Sequence, residues 1–271
     1  MSSDPLIRIA DALERLAPVP QADADPHAHP AYVWRGGVLN VARAFRPLSL
    51  NMLRGVERQQ HALRSTLERL STGAASHDVL LWGARGTGKS ALVKSLVAAI
   101  QADGRDLALV EVAGTSIDTL PALFARLEKV KRAFAVFLDD LGFENAGEAR
   151  VLRSLLDGGA EARPGNCRLI VTSNRRHLMP RDLAEQASAI NPRDAVDDSL
   201  ALADRFGLSL GFHAMDQALY LEVVESYAAA HGLSVDRQEA VEWATRRGSR
   251  SGRVAWQYVV EVAGRSGKPL D

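Results

Sequence analysis

The chain has 271 residues, 46% of them hydrophobic and 24% charged, and its 33 basic and 33 acidic side chains cancel to a formal net charge of zero. That length buries a substantial core in one large or two smaller domains, while the charge balance excludes the overall basic excess that strong sequence-independent nucleic-acid binding needs and leaves room only for a local basic patch. No apolar run is long enough to cross a bilayer, and the single cysteine, Cys167, excludes an internal disulfide.

The first residues, Met1–Pro5, lack a basic stretch leading into an apolar one, so no secretion signal is expected and cytoplasmic residence is the expectation. Ile7–Leu16 spaces its apolar residues as a short amphipathic helix. Ala17–Pro30 holds four of the eleven prolines and reads as an irregular linker, with His27 and His29 as solvated side chains rather than metal ligands. Tyr32–Arg46 is predicted to continue into another helix. Residues 1–47 therefore read as an N-terminal accessory segment of helix and linker.

Leu53–Leu70 is a second amphipathic stretch. After it, apolar strands alternate with helical patterns: strand Val79–Trp82, helix Ser90–Ile100, strand Leu107–Val112, helix Leu120–Val130 with Pro121 in its first turn, strand Phe134–Leu138, helix Glu148–Leu156 closed by Gly158-Gly159, strand Leu169–Thr172, helix Arg181–Ala189 and strand Leu208–Phe212. This alternation predicts an α/β fold whose parallel sheet is covered by helices on both faces, with ligands at the carboxyl ends of the strands. From Asp216 onward only helices are predicted, Asp216–Ala230, Asp236–Arg247 and Gly252–Ala263, the last ending at Gly264. The chain thus divides into an αβα core over 48–212 and a small helical lid over 213–271. Cys167, inside an apolar run, reads as a small buried hydrophobe rather than a reactive thiol.

The chemistry concentrates in Gly83-Ala84-Arg85-Gly86-Thr87-Gly88-Lys89-Ser90, which fits Gly-x-x-x-x-Gly-Lys-Ser/Thr between a strand and a helix. Glycines let backbone N–H groups face an anion, and the helix start adds partial positive charge. Lys89 is placed to reach the β- and γ-phosphates of a nucleotide, and Ser90 to hold Mg2+. The strand Phe134–Leu138 ends in Asp139-Asp140; Asp139 is assigned to the metal and Asp140 to orienting and deprotonating the attacking water. Asn174, at the end of Ile170–Thr172 with Ser173 beside it, is placed to sense the γ-phosphate. Arg205 is a candidate for a finger acting on a neighbouring subunit, and Arg253, opening the last helix, for a lid contact to the phosphates. Each arginine also reads as a surface charge, Arg253 within the run Arg246, Arg247, Arg250 and Arg253.

In this order the motifs resemble those of AAA+ P-loop ATPases: Gly83–Ser90 as Walker A, Phe134–Asp140 as Walker B, Thr172–Asn174 as sensor 1, Leu202–Phe206 as the arginine-finger box and Ser251–Arg253 as sensor 2. Arg54–Gln59 resembles the box that contacts adenine, through Gly55 and Val56. The chain is more narrowly similar to a bacterial ATP-binding family known only as a domain of unknown function, and more distantly to helicase loaders and transposition-helper ATPases. The resemblance implies a sensor strand between the two Walker strands, ATP bound between core and lid, active sites shared between subunits of a homo-oligomer, and remodelling or loading of a protein or nucleic-acid partner, with no membrane role. The pair Asp139-Asp140 departs from the usual Asp-Glu, which leaves slow, switch-like hydrolysis open beside fast hydrolysis, since helicase loaders also carry it. A P-loop small-molecule kinase and a nucleotide-gated DNA- or protein-binding switch stay open as alternatives.

Overall fold

The computed structural model describes residues 23–141, 146–158, 163–174 and 203–270. Its seven strands are β1 (Ala31–Arg35), β2 (Val38–Val41), β3 (Val79–Gly83), β4 (Leu107–Val112), β5 (Ala133–Leu138), β6 (Cys167–Ser173) and β7 (Leu208–Phe212). The core helices are α1 (Glu57–Ser71), α2 (Lys89–Ala102), α3 (Leu120–Leu127) and α4 (Ala146–Leu156), and the lid helices are α5 (Gln217–Ala230), α6 (Arg237–Arg246) and α7 (Gly252–Arg265). One sheet runs in the order β2-β1-β4-β5-β6-β3-β7, parallel except for the β1–β2 hairpin. The sensor strand β6 lies between β3 and β5, as the resemblance implied.

Strand β5 explains the layering. All six of its residues are buried, and alternation sends Phe134, Val136 and Leu138 to one face and Ala133, Ala135 and Phe137 to the other. The first face packs on α3 and α4 through Leu123, Phe124, Leu152 and Leu155. The second packs on α1 and α2 through Leu63, Leu67, Leu92 and Leu96. Helices over both faces leave the strand ends as the place where polar groups gather. Cys167 has no exposed surface, and burial pushes its thiol up to about 12, so it is the inert hydrophobe expected. At the amino ends of the strands, buried Asp78 accepts from the Leu169 amide at 2.8 Å and pairs with Arg163 at 2.6 Å; burial raises its carboxyl above the usual range against the pull of the Arg163 and Arg168 charges.

Three expectations are corrected. Tyr32–Arg46 does not form a helix: Gly36 and Gly37, both at positive φ, turn a two-residue hairpin. Its strand β1 pairs in parallel with β4 and buries Tyr32 and Trp34, so Ala31–Val41 of the segment read as accessory is part of the sheet. Alternating Tyr and Trp beside a Gly-Gly pair was the strand signal. The helix expected over Leu120–Val130 ends at Leu127. The last helix runs through Gly264 to Arg265, and Gly267 carries the left-handed turn beyond it. The helices expected at Ile7–Leu16 and Arg181–Ala189 lie outside the described residues.

The lid starts its helices where side-chain acceptors allow. Asp216 accepts from the Leu219 amide at 2.8 Å, Asp236 from the Gln238 amide at 2.7 Å, and Ser251 from the Val254 amide at 3.3 Å. Tyr220, Val224, Ala240, Ala244, Tyr258 and Val259 close a separate apolar core between the three helices.

Candidate functional site

The loop Gly83–Ser90 joins β3 to α2 at the carboxyl end of the sheet, and the tips of β5 and β6 stand beside it. Lys89, only 5% exposed, is folded back into the loop. Its Nζ donates to the Gly83 carbonyl at 2.9 Å, the Ala84 carbonyl at 2.8 Å and Asn174 Oδ1 at 2.9 Å. Burial holds its ammonium below the usual lysine range; the Asp140 and Asp139 charges work in the opposite sense and Arg85 reinforces the depression. A buried cation satisfied mainly by neutral oxygens is a receptor for an anion. Thr87 braces the loop by donating to the Ala84 carbonyl at 2.8 Å.

The acid pair is organised by one hydroxyl. Thr172, 1% exposed, donates to Asp139 Oδ1 at 2.7 Å and accepts from the Asp140 amide at 2.8 Å. Ser90 Oγ donates to the same Asp139 oxygen at 2.5 Å. Asp140 has φ 56°, the only positive value for a non-glycine among the described residues. That turn aims its carboxylate at the Asn174 amide, which donates to it, and brings it within 3.9 Å of Arg85. Asn174 therefore bridges Lys89 and Asp140. Replacing Thr172 with Val keeps the shape and strips two partners from the strand tip. The expected loss is about 1–3 kcal/mol of unfolding free energy, read by denaturant titration, with Thr172→Ser retaining most of it. A Val variant as stable as the parent would remove the hydroxyl from this role.

A cavity of about 820 Å³ opens between loop, strand tips and lid. It gathers Arg85, Gly86, Gly88, Lys89, Ser90, Asp139, Asp140, Asn174 and, from the lid, Arg253. The lid is seated directly on the loop: the Gly252 amide donates to the Gly86 carbonyl at 2.8 Å, and a Cβ at Gly86 would meet Ser251 Cβ at 2.7 Å. Any side chain at Gly86 thus collides with the start of α7.

Gly83, Ala84 and Thr87 act from behind through backbone and bracing contacts. Gly55 and Val56 do not line the cavity. Gly55 lies against Leu219 of the lid, and Val56 is buried in the core face of α1 and α2. The cavity wall expected there is formed instead by the preceding strap, including Arg46, Leu48, Met52 and Leu53. Arg205 is also elsewhere. Leu208 sits opposite Val79 at the beginning of β3, so Arg205 lies at the opposite end of the sheet, where it pairs with Asp157 at 2.6 Å.

Sequence reasoning missed an aromatic wall. Tyr227 and His231 from the end of α5 and Trp256 from α7 line the lid side of the cavity. The Tyr227 and Trp256 rings stand edge to face at 5.9 Å, and the His231 and Trp256 rings tilt together at 5.5 Å. The available signal was helical spacing: Tyr227 and His231 are one turn apart, as are Arg253 and Trp256.

The family model described as "Protein of unknown function (DUF815)" matches residues 27–266. No curated protein matches. Among solved structures, the Thermotoga maritima RuvB Holliday junction branch migration motor superposes with a TM-score of 0.53 at 18% identity, over 83% of this chain and 68% of that one. The Aeropyrum pernix Orc1 protein in complex with DNA superposes with a TM-score of 0.55 at 17% identity, over 78% of this chain and 61% of that one. At these identities the likeness establishes the fold, an AAA+-type α/β core of parallel sheet and flanking helices.

Proposed function

The chain belongs to the family described as "Protein of unknown function (DUF815)", and on that footing we propose that it is an ATPase that couples Mg2+-dependent ATP hydrolysis to movement of its lid and to remodelling or loading of a macromolecular partner. The observation that carries this reading is the pairing of a buried, anion-seeking Lys89 with an organised acid pair across one cavity. Phosphates would lie on the Gly86–Ser90 backbone with Lys89 against them. The aromatic wall of Tyr227 and Trp256 offers an apolar surface for a nucleobase.

Ser90 and Asp139 present hard oxygen donors 2.5 Å apart, a set that suits Mg2+, which keeps several waters and takes few protein ligands. When bound, the ion would neutralise phosphate charge. Asp140 is placed to take the proton of an attacking water, and Asn174 to hold that carboxylate and the Lys89 ammonium in register. Arg253 reaches the cavity from the lid, which supports a coupling of lid angle to phosphate occupancy.

Arg205, remote from its own cavity, is suited to serve a neighbour in a homo-oligomer. No helix among the described residues is long and apolar enough to cross a membrane, and a cytoplasmic setting accords with this reading. Phosphate release from ATP without any acceptor is the direct test and separates an ATPase from a small-molecule kinase. Arg205→Ala is expected to lower turnover by about a thousandfold where the parent self-associates. Equal turnover of the two proteins under those conditions would remove the trans-acting role.

A further inference from the structure

The turn between α6 and α7 carries the run Thr245-Arg246-Arg247-Gly248-Ser249-Arg250, without one acid. Arg246, Arg247 and Arg250 are all exposed, and none is ion-paired among the described residues. Elsewhere in the same lid arginines find carboxylates: Arg237 meets Glu225 at 2.6 Å and Arg265 meets Glu239 at 2.5 Å. In a chain of zero net charge this turn is a concentrated basic belt with no ion-paired carboxylate among the described residues.

The belt is ordered and borders a second cleft. Arg247 lies flat on Trp243, 3.6 Å from the ring centre, and is held by Gln257 at 3.2 Å. A cleft of about 460 Å³ opens beside Arg250, lined also by Thr245 and Ser249 and, from the phosphate loop, by Arg85. No carboxylate among the described residues lines it. Arg85 borders both this cleft and the larger cavity, so an anion held here touches the loop that carries Lys89.

We infer that this lid turn is a docking site for the phosphodiester backbone of nucleic acid, contacted by Arg246, Arg247 and Arg250 and, inside the cleft, by Arg85. Guanidinium forks match phosphate oxygens in pairs. A belt that continues past the cleft calls for an occupant with regularly repeated charge, which a nucleic-acid strand supplies and a single small anion does not. The site needs no nucleotide in the larger cavity, so it stands whether or not the ATPase reading does.

The test is binding of the nucleotide-free full chain to a labelled DNA duplex of about 30 base pairs and to an RNA strand of similar length, across a salt series. Four neutralised phosphates, one for each arginine, predict a loss of duplex affinity of about 150-fold between about 50 and 200 mM salt. The double variant Arg246→Gln/Arg250→Gln, which keeps Arg247 on Trp243 and Arg85 in the cleft, should reduce that loss to about twelvefold. DNA and RNA should bind within about tenfold of each other, because backbone contacts carry no base readout. Absence of binding at the lowest salt would overturn the proposal, as would an unchanged salt slope in the double variant. A double variant that loses self-association while holding nucleic acid as before would assign the belt to an acidic surface on a second copy and overturn it too.

Discussion

Lys89→Ala is expected to weaken ATP binding by about a hundredfold or more, which corresponds to about 2.8 kcal/mol. The side chain is the one cation sunk into the loop, and it holds the Gly83 and Ala84 carbonyls and Asn174 together. Alanine takes a donor from three acceptors, leaving the Ala84 carbonyl with the Thr87 hydroxyl, and takes away the charge that phosphate would meet. Titration with a fluorescent ATP analogue in the presence of magnesium measures the effect. An affinity within about threefold of the parent would mean that triphosphate does not lie on this loop, and the site would need another reading.

The second large effect separates chemistry from binding. Asp140→Asn should keep ATP affinity and lower turnover by about a hundredfold to ten-thousandfold, the range supplied by a positioned general base. The substitution is a clean probe. Asparagine adopts the left-handed conformation about as readily as aspartate, and the amide that holds the turn to Thr172 belongs to the backbone. The side chain loses its capacity to accept a proton, together with the charge that faces Arg85, while its remaining oxygen can still accept from Asn174. Undiminished phosphate release would assign water activation to another group. The same geometry bears on speed. Asp140 reaches one methylene less far than a glutamate, and it is already engaged by Asn174 and faced by Arg85, so slow turnover is the expectation for the parent protein.

Much of the site was legible because its motif is local. Gly83–Ser90 is read from eight consecutive residues, and the acids at Asp139 and Asp140 follow from an apolar run that has to end where the strand leaves the core. Thr172 was in view only as the start of a sensor motif. That its hydroxyl joins two neighbouring strand tips is a tertiary fact, invisible along the chain. Gly55 and Val56, expected at the adenine, stand apart from the cavity for a similar reason. A few residues decide whether a segment faces the cavity or the lid, and Gly55 is taken up by contact with Leu219. The aromatic wall comes from two lid helices whose mutual angle no periodicity encodes. The hairpin at Ala31–Val41 was misread because Val, Leu and Ala around the turn fit a helical pattern as easily as a strand, and the Gly-Gly pair at its centre was given too little weight.

The amide of Gly252 resting on the carbonyl of Gly86 has a mechanical meaning. Helix α7 is about 21 Å long at 1.5 Å per residue, and it is tethered at its tip to the strip of backbone on which phosphate would settle. Were phosphate to turn that one peptide, the far end of the rod would sweep much further than its tip, with the basic α6–α7 turn riding close to the pivot.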